Sequence, residues 1–237
     1  MLQVFGPSEG GIARHVAMVT EGLDGRDGLV MDVAGPPEVP VPMPKPMREL
    51  HVPSGLRGHR GAQRRIASLV EEGYDVVHAH GLRAGIDAGL AARGSAAKVY
   101  VTVHNLVLAD ISGRAKAMLL KRAEPLAVRL TTRTFCASEQ ISEHLRRTAP
   151  RHAYKIETLH APVGQPPVVV RSRTEVRTEL GLGEDERLVV TVARLAPQKA
   201  LHVMLEAVAG LPAGVHLAIV GSGPLEADLK ARSDSLG

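Results

Sequence analysis

Arg194 and Lys199 stand five positions apart in the stretch Ala193-Arg194-Leu195-Ala196-Pro197-Gln198-Lys199, which closes an apolar strand-like run and opens a helical one. Two cations at such a turn, beside the free N–H groups of a helix start, make a seat for a phosphate. The competing description is ordinary surface charge. Gly221-Ser222-Gly223-Pro224-Leu225 repeats the same strand-to-helix arrangement further along the chain. In an open α/β sheet, ligands bind at the carboxyl ends of the strands, where both turns belong.

Gly6-Pro7-Ser8-Glu9-Gly10-Gly11-Ile12 is a third turn of this kind. Gly10 and Gly11 let a ligand approach the backbone N–H groups. The turn does not align with the dinucleotide fingerprint, and no Gly-Lys-Ser/Thr follows it as in a P-loop. Histidines end two strand-like runs, Val77-His78-Ala79-His80 and Thr102-Val103-His104-Asn105. His78 and His80 are two apart and so share a strand face. With no carboxylate nearby at metal-ligand spacing, the histidines read as polar contacts and no metal is expected. In Ala137-Ser138-Glu139, Ser138 fits a helix N-cap and Glu139 a first-turn acid. Neither a zinc-protease signature nor a nucleophile elbow is present, so nothing supports a hydrolase triad.

The elements that position these residues alternate between strand and helix. Strands are expected at 2–5, 29–34, near 50–52, and at 75–79, 98–103, 133–137, 154–159, 188–194 and 215–220. Helical stripes are Ile12, Val16, Val19 and Leu23; Ala62, Ile66, Leu69 and Val70; and Leu201, Met204, Leu205 and Val208. The proline-rich stretch 35–46 reads as an exposed loop, and 162–172 as a linker. Strands separated by helices imply right-handed crossovers and a parallel sheet. The Val/Leu-rich run 188–192 suggests a strand covered on both faces. The expected fold is α/β with two Rossmann-like domains, 1–161 and 173–237, the second with about two βα units and therefore incomplete.

The chain has 237 residues, 44% of them hydrophobic and 23% charged, and a net charge of +4 spread among 25 acidic residues. That is a globular composition. With two Phe, three Tyr and no Trp, stacking platforms for nucleic acid are absent, and no nucleic-acid partner is expected. Cys136 is the single cysteine, so no intrachain disulfide or Cys-based zinc site exists, and its apolar neighbours suggest an inert thiol. With no signal-like start and no apolar run of spanning length, a cytoplasmic location is expected. Residues 112–129 carry Arg114, Lys116, Lys121, Arg122 and Arg129 among Met118, Leu119, Leu120 and Leu126. Such a helix either packs on the core with a solvated basic face or makes a peripheral contact with anionic lipid at the inner face of the membrane.

Taken in order, the motifs resemble those of the family 4 glycosyltransferases of the GT-B fold. Gly10-Gly11 resembles the family's glycine pair, and Val77-His78-Ala79-His80 and Thr102-Val103-His104-Asn105 its histidine segments. Ala137-Ser138-Glu139 resembles its Ser-Glu step, Arg194 through Lys199 its phosphate clamp, and Ile219-Val220-Gly221-Ser222-Gly223-Pro224 its second glycine turn. The resemblance implies transfer of a sugar, with retention and without a metal, from a nucleotide-sugar donor to a carbohydrate, small-molecule or lipid-linked acceptor. No cofactor beyond that co-substrate is implied. Arg194 and Lys199 would hold the donor diphosphate, with Gly10 and Gly11 against phosphate or acceptor. His104 would line the reacting centre, with His80 and Glu139 on the acceptor side.

Three departures stand out. Ala200 occupies a position the family usually gives to glycine, and Leu159-His160-Ala161-Pro162-Val163 matches the usual interdomain turn poorly. The family's paired glutamates, which grip the donor sugar and ribose, have no counterpart. The chain is therefore expected to be a fragment, inactive by itself. The alternative is a non-catalytic sugar- or phosphate-binding module of the same fold. A nicotinamide-dependent oxidoreductase is disfavoured by the absent dinucleotide turn.

Overall fold

The computed structural model describes residues 1–8, 11–39, 41–55, 57–105, 123–160, 162 and 168–237. The chain divides into two compact units, Met1–Gly164 and Gln165–Gly237.

The first unit is built on a seven-stranded parallel sheet of β1 (Leu2–Phe5), β2 (Asp32–Gly35), β3 (Met47–Glu49), β4 (Val76–His80), β5 (Lys98–Val103), β6 (Arg133–Cys136) and β7 (Ile156–Thr158). The strand order is β3-β2-β1-β4-β5-β6-β7. The order reverses between β1 and β4, which makes that junction the switch point where doubly wound sheets open a crevice. In the register of this pair, Phe5 lies opposite His80 and Gln3 opposite His78.

Helices α1 (Gly11–Leu23), α2 (His59–Glu71) and α3 (Leu82–Ala91) follow β1, β3 and β4. Residues 123–130 form α4, and α5 (Glu139–Thr148) follows β6. The expected stripe of α2 is the observed one, with Ala62, Ile66, Leu69 and Val70 buried. In α1 the buried face is instead Ala13, His15, Val16 and Thr20. Of the residues expected there only Val16 is buried, and Leu23 is exposed. Small and polar side chains, together with Val16, thus make the inward face of this helix. Gly85 on α3 is needed for close approach, since a Cβ there would lie 2.7 Å from Val101 Cγ2.

Three strands shift against expectation. β2 begins at Asp32, β3 precedes Leu50, and β7 is confined to Ile156–Thr158. Leu50 and Val52 are core residues just beyond β3, and Leu50 N still donates to the Gly35 carbonyl of β2 at 2.7 Å. The proline-rich loop is not wholly exposed either. Val39, Val41 and Met43 pack against the Phe5 and Val33 cluster. Lys45 ties the loop down, donating to Asp24 Oδ1 at 2.9 Å and to the Met31 carbonyl at 2.8 Å.

Two buried carboxylates brace the helices. Asp87 of α3, fully buried, accepts from Gln63 of α2 and pairs with His59 Nδ1 at 2.7 Å. Glu124 of α4, 1% exposed, pairs with His144 Nε2 of α5 at 2.8 Å. Cys136 is free and buried, and burial pushes its thiol up to about 12, as an inert cysteine requires.

The second unit comprises α6 (Arg173–Glu179), β8 (Arg187–Val192), α7 (Leu201–Ala209), β9 (Val215–Val220) and α8 (Glu226–Leu236). β8 and β9 form a two-stranded parallel sheet. A small core of Leu195, Leu201 and Leu229 gathers Leu205, Ile219 and Leu225. The expectation that β8 is covered on both faces does not hold. Val190, Val192 and Val220 are 53%, 77% and 53% exposed, because among the described residues the helices cover only the Ile219 face.

Candidate functional site

At the switch point of the first unit, the carboxyl ends of β4 and β5 and the first turns of α1 converge. His80 Nδ1 lies 3.2 Å from His104 Nε2, and His80 Nε2 lies 2.7 Å from Gln3 Oε1. The Gln3 carbonyl oxygen only accepts, so His80 carries its proton on Nε2. Its Nδ1 then accepts from the Nε2–H of His104. His78 Nε2 meets Thr102 Oγ1 at 2.8 Å. The ring of His15, from α1, stands edge-on to both His80 and His104, with centroids 5.4 and 4.9 Å away.

These imidazoles are held neutral. Burial lowers His78 to about 4, helped by the neighbouring His15 and His104. His80 falls well below its ordinary value for the same leading reason, with His78, His104 and His15 contributing. Burial, then His15, lowers His104 to about 4, and burial lowers His15. An imidazole out of water beside others cannot afford a proton. The result is a compact array of neutral donors and acceptors, suited to hydroxyl groups rather than to anions.

Of the site residues expected from sequence, the fold therefore brings His80 and His104 together. Gly11 begins α1 and is exposed, while Gly10 lies outside the described residues, as do residues 112–122 of the expected basic helix. Glu139 opens α5 under the Ser138 cap. Its carboxylate accepts from Thr158 at 2.6 Å and from Arg146 at 3.1 Å, and these bonds, with one from Ser142, hold it below the ordinary carboxylate range. Two residues escaped the sequence reading, Gln3 and His15. Both carried a signal: each is a polar residue close to the glycine turn, Gln3 in the strand that enters it and His15 in the helix that leaves it.

In the second unit, Arg194 and Lys199 are exposed on the connection from β8 to α7. This connection is laced to the glycine turn after β9. Leu195 N donates to the Ser222 carbonyl at 2.9 Å, and Leu225 N to the Leu195 carbonyl at 3.0 Å. A Cβ on Gly221 would sit 2.0 Å from the Ala193 carbonyl oxygen, and one on Gly223 2.4 Å from that of Leu195. The two turns are one backbone assembly that requires both glycines. Ala200, just before α7, has φ 48 and ψ 37, a left-handed conformation that glycine adopts without strain.

Comparison with known proteins bears on the family and the fold. Residues 9–163 match the model of Glycosyltransferase Family 4, and residues 172–237 that of Glycosyl transferases group 1. The D-inositol 3-phosphate glycosyltransferases of Mycobacterium ulcerans (strain Agy99) and Mycobacterium marinum (strain ATCC BAA-535 / M) are each 31% identical over 156 residues. That alignment covers 64% of this chain and 33% of each relative, so the chain is matched to about a third of their length. Among solved structures, HepE of Anabaena in complex with UDP superposes with a TM-score of 0.72 at 15% identity, over 100% of this chain and 66% of that one. Sucrose-phosphate synthase from Thermosynechococcus elongatus gives 0.67 at 18%, over 98% and 65%. The fold is thus of the GT-B class, its second Rossmann-like unit incomplete relative to these structures. With its first unit matched along nearly its whole length, the chain belongs to glycosyltransferase family 4.

Proposed function

We propose that this chain serves transfer of a sugar from a nucleoside diphosphate donor to a hydroxyl acceptor, with retention and without a metal cofactor. The observation that carries this reading is the neutral histidine array at the β1/β4 switch point, in the unit matched to the family. With its Nε2–H given to His80, His104 keeps an Nδ1 lone pair to accept from a sugar hydroxyl. An imidazole near 4 is a poor base at neutral pH. As the bond from the anomeric carbon to the diphosphate breaks and the acceptor oxygen bonds on the same face, the acceptor's proton therefore leaves on the diphosphate. Arg194 and Lys199 take up the charge of that leaving group, with Gly10 and Gly11 against phosphate or acceptor. His80 and Glu139 are assigned to the acceptor side.

The inositol phosphate named for the mycobacterial relatives is the first acceptor to offer. A lipid-linked acceptor would bring residues 112–129 to the inner face of the membrane, with the reaction in the cytoplasm. No residue of this chain is assigned to the grip on donor sugar and ribose, since no Glu-x7-Glu pair occurs in it. The same observation favours a second reading, a module that binds the diphosphate without transferring sugar.

Calorimetric titration with UDP and GDP tests the proposal. Lys199→Ala is expected to weaken binding about tenfold, the loss of one charge-assisted hydrogen bond of roughly 1.5–3 kcal/mol. Unchanged affinity removes the diphosphate assignment. Mass-spectrometric product analysis of the full-length protein with a panel of nucleotide sugars separates the two readings: product formation supports transfer, and binding without product supports the module.

A further inference from the structure

The histidine array has a second chemistry that sugar transfer does not use. The ligand nitrogens of His15, His80 and His104 all lie within 4.8 Å of one another. The His80 Nδ1 to His104 Nε2 separation of 3.2 Å is close to the edge of about 3.3–3.4 Å that a tetrahedral zinc centre imposes on two imidazoles bonded at about 2.0–2.1 Å. His15 is 9% exposed, and its Nδ1 is buried with no hydrogen-bond partner. A buried polar nitrogen without a partner is uncommon and marks a position where an ion or water satisfies it.

We propose that His15, His80 and His104 form a zinc-binding site, three imidazole nitrogens with a fourth position open to water or a ligand hydroxyl. The donor set selects the metal. Three imidazoles without a carboxylate suit zinc and its borderline neighbours and are poor ligands for magnesium or calcium. The outer shell is also in place. Gln3 Oε1 takes the Nε2–H of His80, which fixes the tautomer that leaves Nδ1 for the metal, as the outer partners of ligating histidines do. Burial keeps all three rings neutral, so no net proton is released, and His104 frees its Nε2 for the metal by carrying its proton on Nδ1 instead. His15 of α1, His80 of β4 and His104, one residue past β5, supply the three nitrogens, and binding draws them together from within 4.8 Å of one another.

Occupation has a consequence. Zinc takes the Nε2 of His104 and so competes with any substrate that uses this side chain, making the metal an inhibitor rather than a cofactor. The inhibition rests on the role proposed for His104; the binding rests on the histidine geometry alone.

Titration of the whole chain with Zn2+ against a chromophoric chelator tests the site. One ion per chain is expected at micromolar or better affinity, with no competition from millimolar Mg2+. His15→Ala and His104→Ala should each weaken binding by about tenfold or more, whereas His216→Ala, in the second unit, should not. Co2+ should give the intense visible absorption of a four-coordinate site. In the unmutated chain, ring 15N resonances of His15, His80 and His104 should shift on adding zinc, which needs no variant to fold. Absence of micromolar binding, or ring shifts confined to other histidines, overturns the site. Zinc binding that leaves sugar transfer by a catalytically active homologous full-length enzyme bearing the same three histidines unaffected overturns the inhibitory half and the His104 assignment, but not the site.

Discussion

His80 Nε2 lies 2.7 Å from Gln3 Oε1, joining residues 77 positions apart in the sequence. Both residues are buried, and the bond settles the tautomer of the ring at the centre of the array. His104 is oriented by the other nitrogen of the same ring. A polar residue in the middle of β1 thus positions a side chain just past the end of β5 through one on β4.

The array makes the fold sensitive to acid. His78 and His104 titrate near 4 and His80 well below its ordinary value, against about 6.5 for an unfolded histidine. Between those values the unfolded chain binds more protons than the folded one, so stability falls as pH drops from about 6.5 toward 4. For His78, 9% exposed, the loss is on the order of 3 kcal/mol by pH 4. Urea unfolding of the first unit at a series of pH values checks this. A flat profile across that window contradicts the neutral array.

His59 should act in the opposite sense. Burial opposes its protonation, but the bonds to Asp87 and the Gly55 carbonyl outweigh it and raise its value. Stability from this pair is fully present below about pH 6.5 and lost as pH rises through the raised folded value. His59→Gln is therefore expected to destabilise the chain more at pH 5.5 than at pH 8.5, measured by the difference in urea midpoint from the unmutated chain. Equal loss at both values removes the ion pair from the account.

Ala200→Gly is expected to stabilise the second unit. Relief of the left-handed strain contributes about 1–2 kcal/mol, offset by the extra freedom of glycine in the unfolded chain, roughly 0.5–1 kcal/mol. A net gain on the order of 0.5–1 kcal/mol should appear as a raised denaturation midpoint. Gly221→Ala should do the reverse, costing about 1–3 kcal/mol or more, because the Ala193 carbonyl occupies the place of the new methyl group. The same substitution should weaken UDP binding, since it displaces the turn that carries Arg194.

Limited proteolysis should cut the second unit first. Its buried apolar residues among those described are Leu195, Ala196, Leu201 and Leu229, whereas the first unit buries an extensive core over β1, β2 and β4 to β7. Local opening follows burial, so cleavage within 165–237 with a surviving fragment close to 1–160 is expected by mass spectrometry. Equal resistance of both units would mean that the exposed Val190, Val192 and Val220 face is covered in solution.

Local pattern alone determined much of this protein. The four-residue face of α2, the limits of β1, β5 and β9, and the histidines at the ends of β4 and β5 are all legible in periodicity, because side-chain direction repeats every 2 or 3.6 residues. The motif order was enough to indicate the family, and the Arg194 and Gly221 turns were visible as turns. Only tertiary structure decided which residues share the site. His15 joins because α1 is rotated to put Ala13, Val16 and Thr20 against the sheet, rather than the more apolar stripe the sequence displays. Gln3 joins because β1 and β4 pair across the reversal in strand order. The carboxylates of Asp87 and Glu124 became buried for the same reason, each facing a histidine on a neighbouring helix. Such pairings follow from long-range register and packing, and no short window of sequence contains both partners.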